Sequence, residues 1–131
     1  MPTLLNIIDT YSHLDFSHAT KRSYLHGDLY SRHVLIDPIT SLPTGLIDWG
    51  DTHIGHPGID LAIGMIFTPD IFEIFLEAYG GVDQETLTLL LFHAFCCSIS
   101  FLSYASEQNK ASFQQWATMV LSRACDSMTR V

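Results

Sequence analysis

Two short stretches decide the fold of this chain: LHGDLYSRHVLID at residues 25–37 and GLIDWGD at residues 45–51. Each contains an apolar run suited to a short strand. Between the runs, residues 37–44 supply two prolines and several other turn formers, as expected of a hairpin connection. The sequence therefore predicts a small hairpin, with Asp28 on the loop ahead of the first strand and Asp48 directly after the second.

The remainder of the chain is predicted to be mainly helical. Apolar spacing and end signals predict five helical segments, at residues 2–14, 59–65, 68–79, 83–109 and 111–128. The side chains expected on buried faces are, in the first helix, Leu4, Leu5, Ile8 and Tyr11 and, in the last, Phe113, Trp116, Val120 and Leu121. Residues 15–23 are predicted to be a polar loop, and no strand is predicted after Trp49. The expected fold class is α+β, with helices around one short hairpin.

Size, charge and cysteine content restrict the function classes. With 131 residues, the chain is long enough for one domain. Its 6 basic and 14 acidic residues give a net charge of −8, and the basic residues are scattered, which argues against a nucleic-acid groove or an anionic membrane surface. An acidic surface suits a cationic small molecule, although it also simply keeps a protein soluble. Three cysteines, two of them adjacent, indicate no disulfide framework, and without a secretory signal the expected location is the cytoplasm.

One apolar stretch is long enough to raise the question of a membrane span. Residues 87–105 carry no charged side chain. The stretch contains His93 and several hydroxyl side chains, and no Lys or Arg directly flanks it to anchor it in a bilayer. It is therefore interpreted as a buried core helix, in which His93, Cys96 and Cys97 are core residues and the thiols stay protonated.

The residues around the hairpin are those that phosphoryl transfer requires. That reaction needs a carboxylate near the acceptor hydroxyl and ligands for a metal ion under the phosphates. Asp28, two residues after His26, can accept or orient an alcohol proton. Asp48 offers a hard oxygen ligand, whereas His33 offers an imidazole nitrogen, which magnesium accepts less readily than oxygen. The pattern predicts a phosphoryl-transfer site built on the hairpin.

Four motifs in this region resemble those of a known enzyme family. HGDL at residues 26–29, HVLID at 33–37, GLIDW at 45–49 and PGIDLA at 57–62 resemble the aminoglycoside phosphotransferase family, which shares the protein-kinase-like fold. Within it, the histidine at position 33 and the tryptophan at position 49 are similar to those of the macrolide 2′-phosphotransferases. The resemblance is strong over residues 25–62 and loose over the later helices. It implies the C-terminal lobe of a kinase-like enzyme that phosphorylates a hydroxyl of a macrolide, or of a related aminoglycoside-type antibiotic, and so confers resistance.

The resemblance also implies roles for individual residues. Asp28 would be the catalytic base that receives the proton of the drug's hydroxyl. His33 and Asp48 would hold Mg²⁺ under the phosphates of the nucleotide, with GTP or ATP as the phosphoryl donor. Asp51 would form part of the wall of the substrate site. The residues implied as structural supports of the catalytic loop are His26 and Asp60.

The other half of a kinase site, a glycine-rich loop with a phosphate-binding lysine, is not found in the sequence. No glycine precedes Gly27, and Lys21 is the one lysine ahead of it. We therefore expect residues 1–131 to form a single domain that lacks the nucleotide lobe and has little activity alone. The apolar face that this lobe would cover is expected to promote self-association.

Other functions stay open at the level of the sequence. The chain could be a non-catalytic module that binds a drug or a partner. A metal-dependent hydrolase could use the cluster of His26, Asp28, His33 and Asp48. His53 and His56 could bind zinc, although the usual companion ligands are missing and Pro57 interrupts a helical arrangement.

Overall fold

The computed structural model describes residues 4–16 and 19–129, except for the side chain of Leu4. This part of the chain combines helices with two small sheets, which is compatible with the predicted α+β class. The helices are α1 (Leu4–Ser12), α2 (Gly58–Leu61), α3 (Pro69–Tyr79), α4 (Gln84–Glu107) and α5 (Ala111–Met128). The strands are β1 (Ser23–Leu25), β2 (Val34–Ile36), β3 (Pro43–Leu46) and β4 (His53–Gly55). Short 3₁₀ turns occupy Ser31–His33, Trp49–Asp51 and Ala62–Ile66.

The predicted hairpin is present as an antiparallel pair of β2 and β3. Val34 lies opposite Leu46, and an irregularity in the register follows in β2. The carboxylate of Asp37 closes the connection, because it accepts the backbone N–H groups of Ile39 at 2.7 Å and Thr40 at 2.9 Å. These bonds hold the pKa of the Asp37 carboxyl below its usual value. The hairpin prediction is therefore confirmed.

A second two-stranded sheet forms where the sequence predicted no strand. β1 pairs with β4 in antiparallel fashion, with Tyr24 opposite Ile54. The prediction that no strand follows Trp49 is wrong because β4 has three residues and one apolar side chain, too few to show a strand pattern. Its partner β1 lies far upstream in the sequence, so the pairing depends on the tertiary fold. The two sheets together flank the loop between β1 and β2.

The core lies between α4 and α5, which a short connection folds into an antiparallel pair. Asn109 in this connection adopts a left-handed conformation with φ of 53°. The buried residues of α4 recur about one turn apart and include Leu90, Ala94 and Ser98. The buried residues of α5 are Ala117, Val120, Ala124 and Met128. Because many of these side chains are small, the two helices pack closely.

Helix α4 contains the apolar stretch that raised the question of a membrane span. Among the described residues it is the one helix that is long and apolar enough to cross a membrane. Its N-terminus is capped by Asp83, which accepts the backbone N–H of Thr86 at 2.9 Å and also pairs with Lys21 at 3.0 Å. The hydroxyl of Thr86 also donates to this carboxylate, and together these contacts hold the pKa of Asp83 well below its usual range. One face of the helix packs on α5, and 33% of its most apolar 18-residue window is buried.

The predicted buried face of α1 is confirmed at Tyr11 and wrong at Leu5 and Ile8. Ile7 and Tyr11 are buried, whereas Leu5 and Ile8 are exposed by 75% and 44%. The predicted contact of Leu4 lies outside the described side chains. The hydroxyl of Tyr11 donates to the carbonyl oxygen of Met128 at 3.4 Å, which attaches α1 to the end of α5.

Gly58 marks the point where α2 crosses α4. A Cβ at this position would lie 3.1 Å from the backbone oxygen of Thr86 and 3.2 Å from the backbone nitrogen of Leu90. We expect Gly58→Ala to lower the free energy of unfolding by about 1–3 kcal/mol, because α2 would have to move away from α4. Gly45→Ala is the control, since its Cβ would meet one side chain at 3.7 Å. Urea unfolding measures both variants, and equal midpoints would contradict the close crossing.

Candidate active site

The loop between β1 and β2, residues 26–33, contains Asp28 and is called the catalytic loop after the role predicted for that residue. One carboxylate from α2 holds it. Asp60 accepts the backbone N–H of His26 at 2.6 Å and that of Gly27 at 3.0 Å. Hydrogen bonds to a charged acceptor are stronger than neutral ones. The carboxylate therefore fixes the backbone immediately before Asp28, the position that the sequence predicts as the catalytic base.

The imidazole of His26 links this loop to the strand that leads to Asp48. The ring is 2% exposed, and its Nε2–H donates to the carbonyl oxygen of Ile47 at 2.8 Å. A carbonyl oxygen can only accept, so Nδ1 carries no hydrogen and is free to accept the backbone N–H of Asp28 at 3.4 Å. Both ring nitrogens are thus bonded to backbone, and His26 acts as a structural link rather than an acid or base.

Gly27 permits the close contact between this loop and the turn that contains Asp51. Its φ is +86°, and a Cβ would collide with the backbone oxygen of Asp51. That same oxygen accepts a hydrogen bond from Nδ1 of His53 at 2.8 Å. The side chain of Asp51 is exposed and does not line the cavity described below. The backbone oxygen of Asp51 thus makes the contacts with the loop, and a role of its carboxylate in substrate binding stays a prediction.

The structure brings His33 between the two aspartates of the predicted site. Its Nδ1–H donates to the backbone oxygen of Asp28 at 2.8 Å and lies 3.9 Å from Oδ2 of that residue. Its Nε2 lies 3.5 Å from Oδ2 of Asp48. Because the hydrogen of a neutral ring is then on Nδ1, the lone pair of Nε2 faces a carboxylate oxygen. Two acceptors that face each other favour a proton or a metal ion between them.

Asp48 lies at the end of the hairpin in an unusual backbone conformation. Its φ and ψ are 64° and 58°, in the left-handed region that aspartate tolerates better than most residues. The following residue, Trp49, packs against the ring of His26 with centroids 4.8 Å apart and is 52% exposed. Trp49 thus packs on His26 with one part of its ring system and leaves the rest exposed. The left-handed turn directs the chain back toward the catalytic loop.

A cavity of about 90 Å³ opens beside Asp28. Its walls come from the catalytic loop, α4, α5 and the turn after α2. Apolar and aromatic side chains dominate the lining, while His93, Cys97 and Ser98 supply polar atoms. The cavity therefore offers an apolar surface next to a carboxylate that can accept a proton.

Aromatic rings form a continuous wall from the catalytic loop to α5. Tyr30 lies with its ring centroid 4.3 Å from that of His33 and 5.0 Å from that of Phe101. Phe101 contacts Trp116 at 5.6 Å, and Trp116 stacks on Phe113 at 5.4 Å. Burial raises the pKa of Tyr30, and the negative charges of nearby aspartates raise it further. Sequence reasoning did not assign this wall, because only the tertiary fold brings residues from the loop, α4 and α5 together.

The interpretation of His93, Cys96 and Cys97 as core residues needs correction, and His53 and His56 lie in different surroundings. Cys96 is exposed, while His93 and Cys97 are half-buried and line the cavity, so none of the three is simply a core residue. His56 is buried and faces Glu85 at 3.6 Å, whereas His53 is exposed and bonds to backbone. Within residues 4–16 and 19–129, no group of three or more metal-binding side chains is found.

Comparison with known proteins identifies the family of this chain. The sequence model of the phosphotransferase enzyme family matches residues 7–90, more than half of the chain, and the chain belongs to that family. An aminoglycoside 3′-phosphotransferase of Streptomyces ribosidificus is 41% identical over an alignment 73 residues long, which covers 47% of this chain and 28% of the relative. That of Streptomyces fradiae is 38% identical over 73 residues, covering 47% of this chain and 27% of the relative. No solved structure matches the chain significantly.

The family membership supports the resemblance drawn from the motifs at the level of aminoglycoside phosphotransferases and implies a kinase-like fold. It also implies, in general terms, a nucleotide phosphate donor and a metal ion. The matched segment spans little more than a quarter of the length of the two relatives.

Removing the charge of Asp60 should loosen the catalytic loop. Asp60→Asn retains one acceptor oxygen for two backbone N–H groups, so we expect the free energy of unfolding to fall by about 1–3 kcal/mol. Asp126→Asn, on an exposed position of α5, is the control and should change it by less than about 0.5 kcal/mol. Chemical denaturation monitored by circular dichroism gives both values. If the two variants are equally stable, the loop does not depend on this carboxylate.

Proposed function

We propose that this chain is the catalytic and substrate-binding part of an antibiotic phosphotransferase, which moves the γ-phosphate of GTP or ATP to a hydroxyl of the drug. The observation that carries the proposal is the position of His33 between Asp28 and Asp48, together with the apolar cavity that Asp28 lines. Membership of the phosphotransferase enzyme family and similarity to two aminoglycoside 3′-phosphotransferases support the same reaction class. Phosphorylation would inactivate the drug because it adds charge and bulk at a hydroxyl.

Asp28 has the position that a catalytic base requires. Its side chain is 45% exposed and lies at the mouth of the cavity, where it can accept the proton of an incoming hydroxyl. Its backbone is held on both sides, because its N–H donates to His26 and its carbonyl oxygen accepts from His33. A base on a fixed backbone keeps the reacting oxygen in line with the phosphate.

His33 and Asp48 fit a divalent ion such as Mg²⁺. Nε2 and Oδ2 of the pair are 3.5 Å apart, close to the roughly 3 Å between neighbouring ligands of an octahedral ion. Two protein ligands suit an ion that takes its other ligands from phosphates and water. When bound, the ion would neutralise charge on the β- and γ-phosphates. The nitrogen ligand makes this a weaker magnesium site than one with two oxygen ligands, so Mn²⁺ should compete well.

For the acceptor we propose a macrolide-type drug, with an aminoglycoside as the alternative. The aromatic wall of Tyr30, Phe101 and Trp116 suits an amphipathic molecule more than a polycation. The names of the two relatives favour the aminoglycoside. At about 90 Å³ the cavity is smaller than the roughly 300–1,000 Å³ of a complete ligand site, so it would take only the sugar that carries the hydroxyl.

We also propose that a nucleotide lobe outside these 131 residues completes the site. The ammonium of Lys21 pairs with Asp83 and donates to the hydroxyl of Thr86 at 3.3 Å, at the N-terminus of α4, so we do not assign it to the phosphates. Exposed apolar side chains on the hairpin would pack against such a lobe or, in its absence, against a second copy. They include Leu35, Ile36, Leu42, Leu46 and Ile47.

Phosphate transfer tests the reaction directly. The chain is mixed with a separately expressed nucleotide lobe of a related enzyme, and transfer of radiolabelled γ-phosphate from GTP or ATP to erythromycin or kanamycin is measured. We expect transfer that Asp28→Asn lowers by about 10²–10⁴-fold, because the base is lost. Glu73→Gln, on an exposed face of α3, is the control and should leave transfer unchanged. Absence of transfer with both drugs and both nucleotides would favour the binding-module hypothesis, whereas nucleotide-independent cleavage would favour a hydrolase.

Metal binding can be measured on this chain without the second lobe. We expect Mn²⁺ to bind in a calorimetric titration and Asp48→Asn to weaken binding at least tenfold, because the carboxylate is the charged ligand. His33→Asn supplies an oxygen ligand and should shift the preference from Mn²⁺ toward Mg²⁺. Asp51→Asn removes a nearby carboxylate that lies outside the pair and serves as the control. Equal affinities for the parent chain and Asp48→Asn would show that the ion binds elsewhere.

A further inference from the structure

Two polar side chains on α4, His93 and Cys97, line the cavity beside Asp28 and contact each other. Nε2 of His93 lies 3.4 Å from Sγ of Cys97, one helical turn further along. Most of the other side chains in the lining are apolar or aromatic. In a mostly apolar lining, such polar groups determine which polar groups of a ligand find a hydrogen-bond partner.

The protonation states of this pair are set by burial. Burial raises the pKa of the Cys97 thiol to about 11, and the negative charge of Asp28 acts in the same direction. Burial lowers the pKa of His93, although the charges of Asp60 and Asp28 oppose the shift. At neutral pH the thiol keeps its hydrogen, and the imidazole is neutral.

The contact with the thiol selects one tautomer of His93. An imidazole nitrogen is a better acceptor than a thiol sulfur, so the S–H of Cys97 donates to Nε2. The hydrogen of the neutral ring is then on Nδ1. Nδ1 makes no hydrogen bond with any described residue, and it is not sealed from solvent. Because His93 lines the cavity, an oxygen of a bound molecule can supply the acceptor that this N–H group lacks among the described residues.

We propose that His93 is a substrate-binding residue, which donates the hydrogen on Nδ1 to an uncharged oxygen of the acceptor sugar. The inference rests on the proposed function, in that the cavity beside Asp28 takes the sugar to be phosphorylated. The hydroxyl that reacts is held by Asp28, and a second ether or hydroxyl oxygen of the same ring is held by His93. Cys97 is a positioning residue, because its thiol fixes the tautomer of the imidazole.

This arrangement has a consequence for specificity. A neutral N–H donor attracts an oxygen and gives no favourable contact to an ammonium group, which offers only donors. The ring beside Asp28 is therefore expected to carry its charged amine outside the reach of His93. Phe101 and Trp116 also line the cavity, and their apolar faces favour contact with the uncharged side of the sugar.

Binding of erythromycin and of kanamycin to the chain alone, measured by calorimetry, tests the role of His93. We expect at least one drug to bind and His93→Leu to weaken its binding by about three- to tenfold, the loss of one hydrogen bond. His93→Gln retains an N–H donor and should bind within about threefold of the parent chain. Ser100→Ala, on an exposed position of the same helix, is the control and should bind unchanged.

The outcomes separate hydrogen bonding from packing. If His93→Leu binds as tightly as the parent chain, or if His93→Gln binds as weakly as His93→Leu, the inference is overturned. Thermal unfolding of each variant establishes that it is folded, and Cys97→Ser, which keeps a donor for Nε2, should bind within about threefold of the parent chain. Failure of both drugs to bind the parent chain also overturns the inference.

The location of the bound drug is tested through the reactivity of Cys97. In a Cys96→Ser, Cys125→Ala variant, Cys97 is the remaining thiol, and its alkylation by N-ethylmaleimide should slow when the drug fills the cavity. An unchanged rate at saturating drug would overturn the assignment of the cavity.

Binding and protection without phosphate transfer would leave the role of His93 in place and overturn the proposed reaction. Phosphate transfer that His93→Leu leaves unchanged would support the proposed reaction and overturn the role of His93.

Discussion

The site depends on the two hydrogen bonds that Asp60 accepts from the backbone of the catalytic loop. A charged acceptor on the first turn of α2 holds the loop at Gly27, where no side chain could fit against the backbone of Asp51. The buried ring of His26 extends this connection to Ile47 and therefore to the turn at Asp48. One helix thus positions two separate loops, and the distances between the reacting groups follow from that attachment.

The chemistry then follows from where the few polar groups lie. Asp28 and Asp48 face His33 from two sides, in a chain with a net charge of −8. In the proposed reaction, the loop and the hairpin would supply the groups that bind phosphate, while α4 and α5 provide much of the cavity lining. A division of this kind would allow the cavity lining to change with the drug while the reacting groups stay in place.

Sequence patterns predicted the local features of this protein well. The hairpin, the course of the long helices and the position of Asp28 and Asp48 beside the hairpin all follow from short-range signals. The β1–β4 sheet was not predicted, because its strands lie far apart in the sequence and each has only three residues. The buried face of α1 was misassigned because four apolar residues allow more than one packing face, and the contact with Met128 selects that of Ile7 and Tyr11. The positions of His93 and Cys97 at the cavity were not predicted either, because the sequence of an apolar helix does not show which of its residues border a cavity.

The sequence by itself determined which residues can take part in the chemistry, because a hydroxyl needs a carboxylate as its base and a metal ion needs lone pairs. It also determined the order of the elements and the family to which the chain is similar. The tertiary structure alone decided that Nε2 of His33 faces Asp48, that the carboxylate of Asp51 stays outside the cavity, and that His93 lines it. The physical reason is that tautomers, cavity walls and hydrogen-bond partners depend on distances between residues far apart in the chain. Such distances exist only after α4 and α5 have packed beside the loop.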